Sequence, residues 1–191
     1  MRQEISRKAI HLGMAVIPLA SVFVARPLLL QGIGVLLVIA LSIELGRHHL
    51  PGVNQRFQAL FGPMLRDSES RKMTGATYLL LASFISFWLY ELWIAQVVIL
   101  FVVISDGLSA LLGKWLGKHA FYGNKTWEGN AVFLLTAFFI VYLHPHCPLG
   151  VGLLGMTAAF LADVLILKYD DNLTIPLVSG VIMQLVTWVR V

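Results

Sequence analysis

Seven apolar runs dominate this chain, and they constrain its fold more than any other feature. They fall near residues 9–25, 28–45, 77–90, 92–112, 130–143, 149–167 and 173–189. A membrane-spanning helix needs about 20 residues, within a range of roughly 17–25. The third and fifth runs reach that length only if their polar flanks join the helix. Composition agrees with a lipid-facing exterior. The 191 residues are 58% hydrophobic and 13% charged, with a mean hydropathy of +0.81. A soluble domain carries about 45–50% apolar and roughly 25% charged residues. The expected fold is therefore an all-α integral membrane protein with about seven transmembrane helices. It forms a single polytopic domain over residues 1–191, with cytoplasmic loops near 46–76, 113–129 and 168–172. The first run leads into Arg26-Pro27 and not into a small-residue cleavage site, so it reads as a retained span.

The charges give the orientation. With the N-terminus in the cytoplasm, the inside segments hold 12 of the 14 Lys and Arg residues, and the outside segments hold only Arg26 and Arg190. The positive-inside rule then favours a cytoplasmic N-terminus and an external C-terminus. Six or eight spans would break the alternation. The same rule accounts for the net charge of +4 and the pI near 9.4. Neither a separate basic domain nor a nucleic-acid motif is present, so nucleic acid is not an expected partner. The lone Cys147 cannot form an intramolecular disulfide. Small residues at Gly32, Gly34, Gly150, Gly152 and Gly155 suit close helix packing.

Two acids interrupt apolar runs. Asp106 and Asp163 each lie fourteen residues past the outer start of their run. At 1.5 Å per residue both sit about 21 Å in from the outer edge. A carboxylate in hydrocarbon is costly and faces a cavity or a partner. Each acid is either paired with a buried cation, placed at the wet interface, or part of a metal site. Divalent metals need oxygen ligands converging from separate elements, and the matched depth favours that reading.

The segment after Asp106 is rich in glycine and lysine, from Ser105-Asp106-Gly107 through Gly113-Lys114 to Asn124-Lys125-Thr126-Trp127-Glu128-Gly129. Glycines admit phosphate oxygens to backbone amides, and lysines compensate charge. It is not a Walker loop, because Gly107 and Gly113 enclose five residues and Trp115 stands where Ser or Thr is required. A headgroup contact or a plain positive-inside loop fits as well. Lys168-Tyr169-Asp170-Asp171-Asn172 is either a set of oxygen ligands or a turn capping the last helix. Near the start, Glu4 with Lys8 and Arg7 with His11 share helix faces, as a snorkelling anchor also would. His48 and His49 read as loop residues. There is no zinc spacing and no G-x-S-x-G elbow.

Together these segments resemble the CTP-dependent lipid-alcohol kinases, which include dolichol kinase, phytol kinase and the yeast-type diacylglycerol kinase and are related to CDP-diacylglycerol synthases. The matching pieces are Arg7-Lys8-x-x-His11, Arg71-x-x-x-Gly75-Ala76-x-Tyr78, Ser105-Asp106-Gly107 to Gly113-Lys114, Asn124-Lys125-Thr126-x-Glu128-Gly129, and Asp170-Asp171-Asn172-Leu173 to Pro176. They span nearly the whole chain. Where many relatives carry Glu in the sixth span, this chain has Asp163. It also lacks the longer C-terminal signature of the synthases, with its Lys-x-Asp and His-Gly-Gly elements.

The resemblance implies transfer of the terminal phosphoryl group of CTP to a membrane lipid alcohol of polyprenol, phytol or diacylglycerol type. Metal ions, Mg²⁺ or Mn²⁺, would be held by Asp106 with Asp163, Asp170, Asp171 or Asn172. Lys114 and Lys125 would hold the triphosphate, beside Gly113, Asn124, Thr126 and Gly129. Glu128 would bind a second metal or act as base, and Lys125 belongs to the catalytic set. Arg7, His11, Arg71 and Tyr78 would line the lipid cavity. The expected setting is a bacterial or archaeal cell membrane, with the site facing the cytoplasm. The runner-up is a cytidylyltransferase making a CDP-lipid. A proton- or cation-coupled transporter is the reading from another class, and a scaffold is more remote.

Overall fold

The computed structural model describes residues 11–65, 69, 72–123, 125–165 and 169–189. Its helices are α1 (His11–Ala20), α2 (Arg26–His49), α3 (Pro51–Phe61), α4 (Gly75–Leu89), α5 (Leu92–Leu116), α6 (Trp127–Leu143), α7 (Leu149–Val164) and α8 (Asp171–Val189). A 3₁₀ turn, Gly62–Met64, follows α3. Among the described residues there is no strand, only an isolated antiparallel bridge between Ala120 and Thr126. The fold is all-helical, and every apolar run contributes a helix. Three of these, α2, α5 and α8, are long and apolar enough to cross a membrane. The short third and fifth runs remain short, as helices of 15 and 17 residues.

Several boundaries depart from the sequence reading. Helix α2 continues to His49, which places His48 and His49 in its last turn and not in a loop. Helix α5 continues through Gly107–Leu116, so the first part of the expected Gly/Lys loop is helical. Leu108, Leu111 and Leu112 keep the helical apolar spacing, and the glycines there serve packing. A Cβ on Gly113 would lie 3.1 Å from the Cα of Gly129. The two small residues let α5 and α6 cross closely.

Helix α5 is the axis of the bundle. Its apolar window is 72% buried, against 22% for α2. From Val97 to Val103 every residue except the half-buried Leu100 is sealed from solvent. Helices α1, α4, α6 and α8 pack around it. Large apolar side chains instead face outward on α2, among them Val35, Leu36, Val38 and Ile39. An exterior of that kind suits lipid better than water.

The helix ends segregate. At one end Arg26 donates to the carbonyls of Phe87, Trp88 and Tyr90, at 2.6, 2.9 and 2.9 Å. Gln96 there bridges Ser21 (2.8 Å) and His144 (3.0 Å). Burial lowers the His144 pKa, and the neighbouring His146 adds to the effect. The opposite end gathers Glu44, Asp106, Lys125, Asp163 and Asp171. Tyr90 locks α8 to the first end by donating to the Leu177 carbonyl at 3.0 Å. Its ring lies so near Gly180 that an added Cβ would sit 2.2 Å from a ring carbon. Because the ring is rigid and hydrogen-bonded, Gly180→Ala should destabilise the bundle by about 1–3 kcal/mol. Thermal unfolding in detergent micelles checks this, and an unchanged midpoint would refute the proposed close approach.

Candidate metal and phosphate site

Three carboxylates from three helices meet at one point. The last residues before Gly107 form a π-helical segment, Phe101–Asp106. Such wide turns are frequent at functional positions, and this one ends on Asp106, which is 2% exposed. Asp163 comes from the final turn of α7 and is also buried. Asp171 opens α8. One oxygen from each of Asp106, Asp163 and Asp171 lies within 4.8 Å of the others. Like charges that close disfavour joint ionisation unless cations offset them. Lys125 and His11 stand nearby. Lys125 Nζ donates to Asp163 Oδ1, and His11 Nε2 lies 3.9 Å from Asp106 Oδ2. His11 Nε2 also donates to the Val102 carbonyl at 2.9 Å, within the π segment. An all-oxygen donor set converging from separate helices fits a hard divalent ion of the Mg²⁺ or Mn²⁺ kind.

Lys125 reaches this point from a tight turn. Phe121 N–H donates to the Lys125 carbonyl (2.9 Å) and Lys125 N–H to the Tyr122 carbonyl (3.0 Å). Gly123 takes φ 56°, a left-handed conformation that favours glycine. Thr126 then caps α6, accepting from Gly129 N–H at 3.1 Å.

The remaining candidates are dispersed. Asp170 is not in the three-carboxylate group. Its Oδ1 accepts from Asn172 N–H (3.0 Å) and Asn172 Nδ2 (2.6 Å), so it caps α8. Asn172 is buried beside the cluster. Glu128 sits apart, accepting from His119 Nδ1 at 2.7 Å on an exposed surface. Lys114 is exposed in the last turn of α5. Gly113, Thr126 and Gly129 are engaged in joining α5 to α6. Tyr78 is half-buried on α4. Arg7, Arg71 and Asn124 lie outside the described residues.

A cavity of about 260 Å³ adjoins the cluster, bounded by α1, α2, α3 and α4. Phe57, Phe61, Met64 and Leu65 are among its apolar lining, and His11, Glu44, Glu69, Thr74 and Asn172 among its polar lining. Beside it lies a buried ionic knot that sequence reasoning missed. Arg47 Nε donates to Glu44 Oε2 at 2.5 Å, and Arg47 Nη2 donates to the carbonyls of Glu69 (2.9 Å) and Lys72. Glu44 Oε1 accepts from Thr74 N–H (2.7 Å) and the Thr77 hydroxyl (3.1 Å). The Arg47 guanidinium also rests over Phe57, 5.0 Å from the ring centre. The signal was available: Glu44 is an acid inside the run 28–45, with Arg47 three residues on.

No protein-family model matches the chain, and no solved structure matches it. Two proteins are similar along nearly their whole length. An uncharacterized protein of Rickettsia prowazekii is 26% identical over 186 residues, covering 91% of this chain and 90% of that protein. The CTP-dependent diacylglycerol kinase 1 of Schizosaccharomyces pombe is 25% identical over 217 residues, covering 97% of this chain and 94% of the kinase.

Proposed function

We propose that this chain is a membrane-embedded kinase that transfers the γ-phosphoryl group of CTP to the hydroxyl of a lipid alcohol. The observation that carries this reading is the convergence of Asp106, Asp163 and Asp171 beside an apolar cavity. Similarity to a CTP-dependent diacylglycerol kinase supports the donor and the lipid class. In this reading the seven apolar helices span the bilayer with the N-terminus inside, so the carboxylate end faces cytoplasmic CTP. The Lys and Arg asymmetry supports that orientation.

Phosphoryl transfer depends mainly on positioning and charge neutralisation. A bound Mg²⁺ or Mn²⁺ would neutralise the triphosphate, held by Asp106, Asp163 and Asp171. Lys125, oriented by its turn, exchanges its contact with Asp163 for a phosphate oxygen. The apolar lining at Phe57 and Phe61 holds the lipid tail. The polar lining at His11 and Asn172 keeps the headgroup beside the carboxylates. A transport reading is weaker, because the sealed apolar stretch between Val97 and Val103 separates the polar ends.

The test is which phosphorus reaches the lipid. Purified protein with Mg²⁺ receives CTP labelled separately at the α- and γ-phosphates, with polyprenol, phytol and diacylglycerol offered in turn. Label is expected in lipid only from the γ position, with CDP formed in step. Label from the α position, together with pyrophosphate, would replace the kinase with a cytidylyltransferase.

A further inference from the structure

Among the described residues the cavity wall holds two carboxylates, Glu44 and Glu69. Glu44 is committed on both oxygens, to Thr74 and Thr77 on one and Arg47 on the other. It is a structural anion. Glu69 is 6% exposed, and its Oε1 accepts from Gly75 N–H at 2.8 Å. A Cβ on Gly75 would lie 3.4 Å from that oxygen and 2.8 Å from Asn172 Nδ2. Glu69 and Asn172 therefore flank the same glycine, and Asn172 directly follows Asp171 of the carboxylate cluster. Glu69 thus stands where the apolar cavity meets the proposed phosphate site. The acid expected from sequence to act as base, Glu128, is on an exposed surface with His119. His11 Nε2 is a donor to Val102.

Resting on the lipid-kinase reading, we propose that Glu69 is the general base for the acceptor hydroxyl. The hydroxyl proton passes to the Glu69 carboxylate as the hydroxyl oxygen forms its bond to the γ-phosphorus of CTP. The bond between that phosphorus and the β–γ bridging oxygen breaks, and its electron pair leaves with CDP. The products are the lipid phosphate, CDP and a proton on Glu69, which returns to water. A carboxylate accepts several hydrogen bonds at once, so the contacts Glu69 already makes, the one from Gly75 among them, are compatible with an acceptor hydroxyl. The same negative charge repels an anionic lipid phosphate and favours a neutral alcohol.

Glu69→Gln tests the assignment, because Gln keeps the shape and still accepts from Gly75 N–H while being unable to take the proton. Turnover with the lipid alcohol should fall about a hundredfold, within the usual range for general base catalysis. The apparent KM for CTP should stay the same. An alcohol acidified by fluorines beside its hydroxyl should recover most of the lost rate in the variant and accelerate the wild type little. Turnover in the variant equal to wild type would overturn the proposal. So would a loss that the acidified alcohol does not repair and that comes with a lowered thermal midpoint, since that marks a structural role. Wild-type protein that labels no alcohol at all would instead overturn the kinase reading, and this assignment with it.

Discussion

Asp106→Asn should lower turnover on the order of a thousandfold while the protein still inserts and folds. Groups that merely orient metal ligands cost about 10–100-fold when mutated, and losing a ligand's charge should exceed that range. The residue is buried at the end of the π segment and shares its point in space with Asp163 and Asp171. Asn preserves shape and removes one negative charge. With no ion bound, three carboxylates this close repel one another. The metal-free variant should therefore unfold at a temperature no lower than the wild type, even with its contact to His11 weakened. Mn²⁺ titration followed by electron paramagnetic resonance should show weakened binding. Near-normal turnover, or undiminished Mn²⁺ affinity, would remove Asp106 from the site.

Arg47→Ala should be the most damaging substitution for stability. It strips the buried Glu44 of its cation and releases the carbonyls of Glu69 and Lys72. Breaking one side of a buried ion pair costs about 3–5 kcal/mol. For a chain of this size that is roughly a 6–20 °C fall in Tm, at about 2–4 °C per kcal/mol. Arg47→Lys should be milder but still harmful, because a point charge cannot reproduce the fork that joins Glu44 to two carbonyls. The double variant Glu44→Gln, Arg47→Met should recover part of the loss, since no unpaired charge is left inside. Thermal unfolding of all four proteins in one detergent decides it. A Tm for Arg47→Ala equal to wild type would show that the knot contributes nothing.

The two acids placed at one depth by counting along their runs, Asp106 and Asp163, do meet. Helical rise is regular enough for that argument to work on separate helices. Among the neighbouring acids near 170, counting could not separate Asp170 from Asp171. Only the start of α8 decides which carboxylate turns toward the cluster and which caps the helix. The start of the Gly/Lys loop expected over 113–129 proved helical as far as Leu116, because glycine marks both loops and close helix contacts. Gly113 against Gly129 is the latter, and that depends on a partner helix fourteen residues downstream. Glu44 and Arg47 were missed for a different reason. Their apolar run ends close by, so they resemble ordinary boundary charges until the segment carrying Glu69 and Thr74 folds over them.

The contacts of α8 bear on how such a chain is assembled during synthesis. This helix packs against α4, α5 and α7 and carries Asp171 and Asn172, yet it emerges after all of them. Until then the flank of α5 that it covers is apolar and rests comfortably in lipid. The acids have no such refuge. Lys125 on Asp163 and His11 beside Asp106 come from segments already made, so each acid has a polar neighbour before α8 arrives. The donor set becomes complete only when α8 docks, so a nascent intermediate lacking α8 holds two of the three carboxylates and an unfinished site.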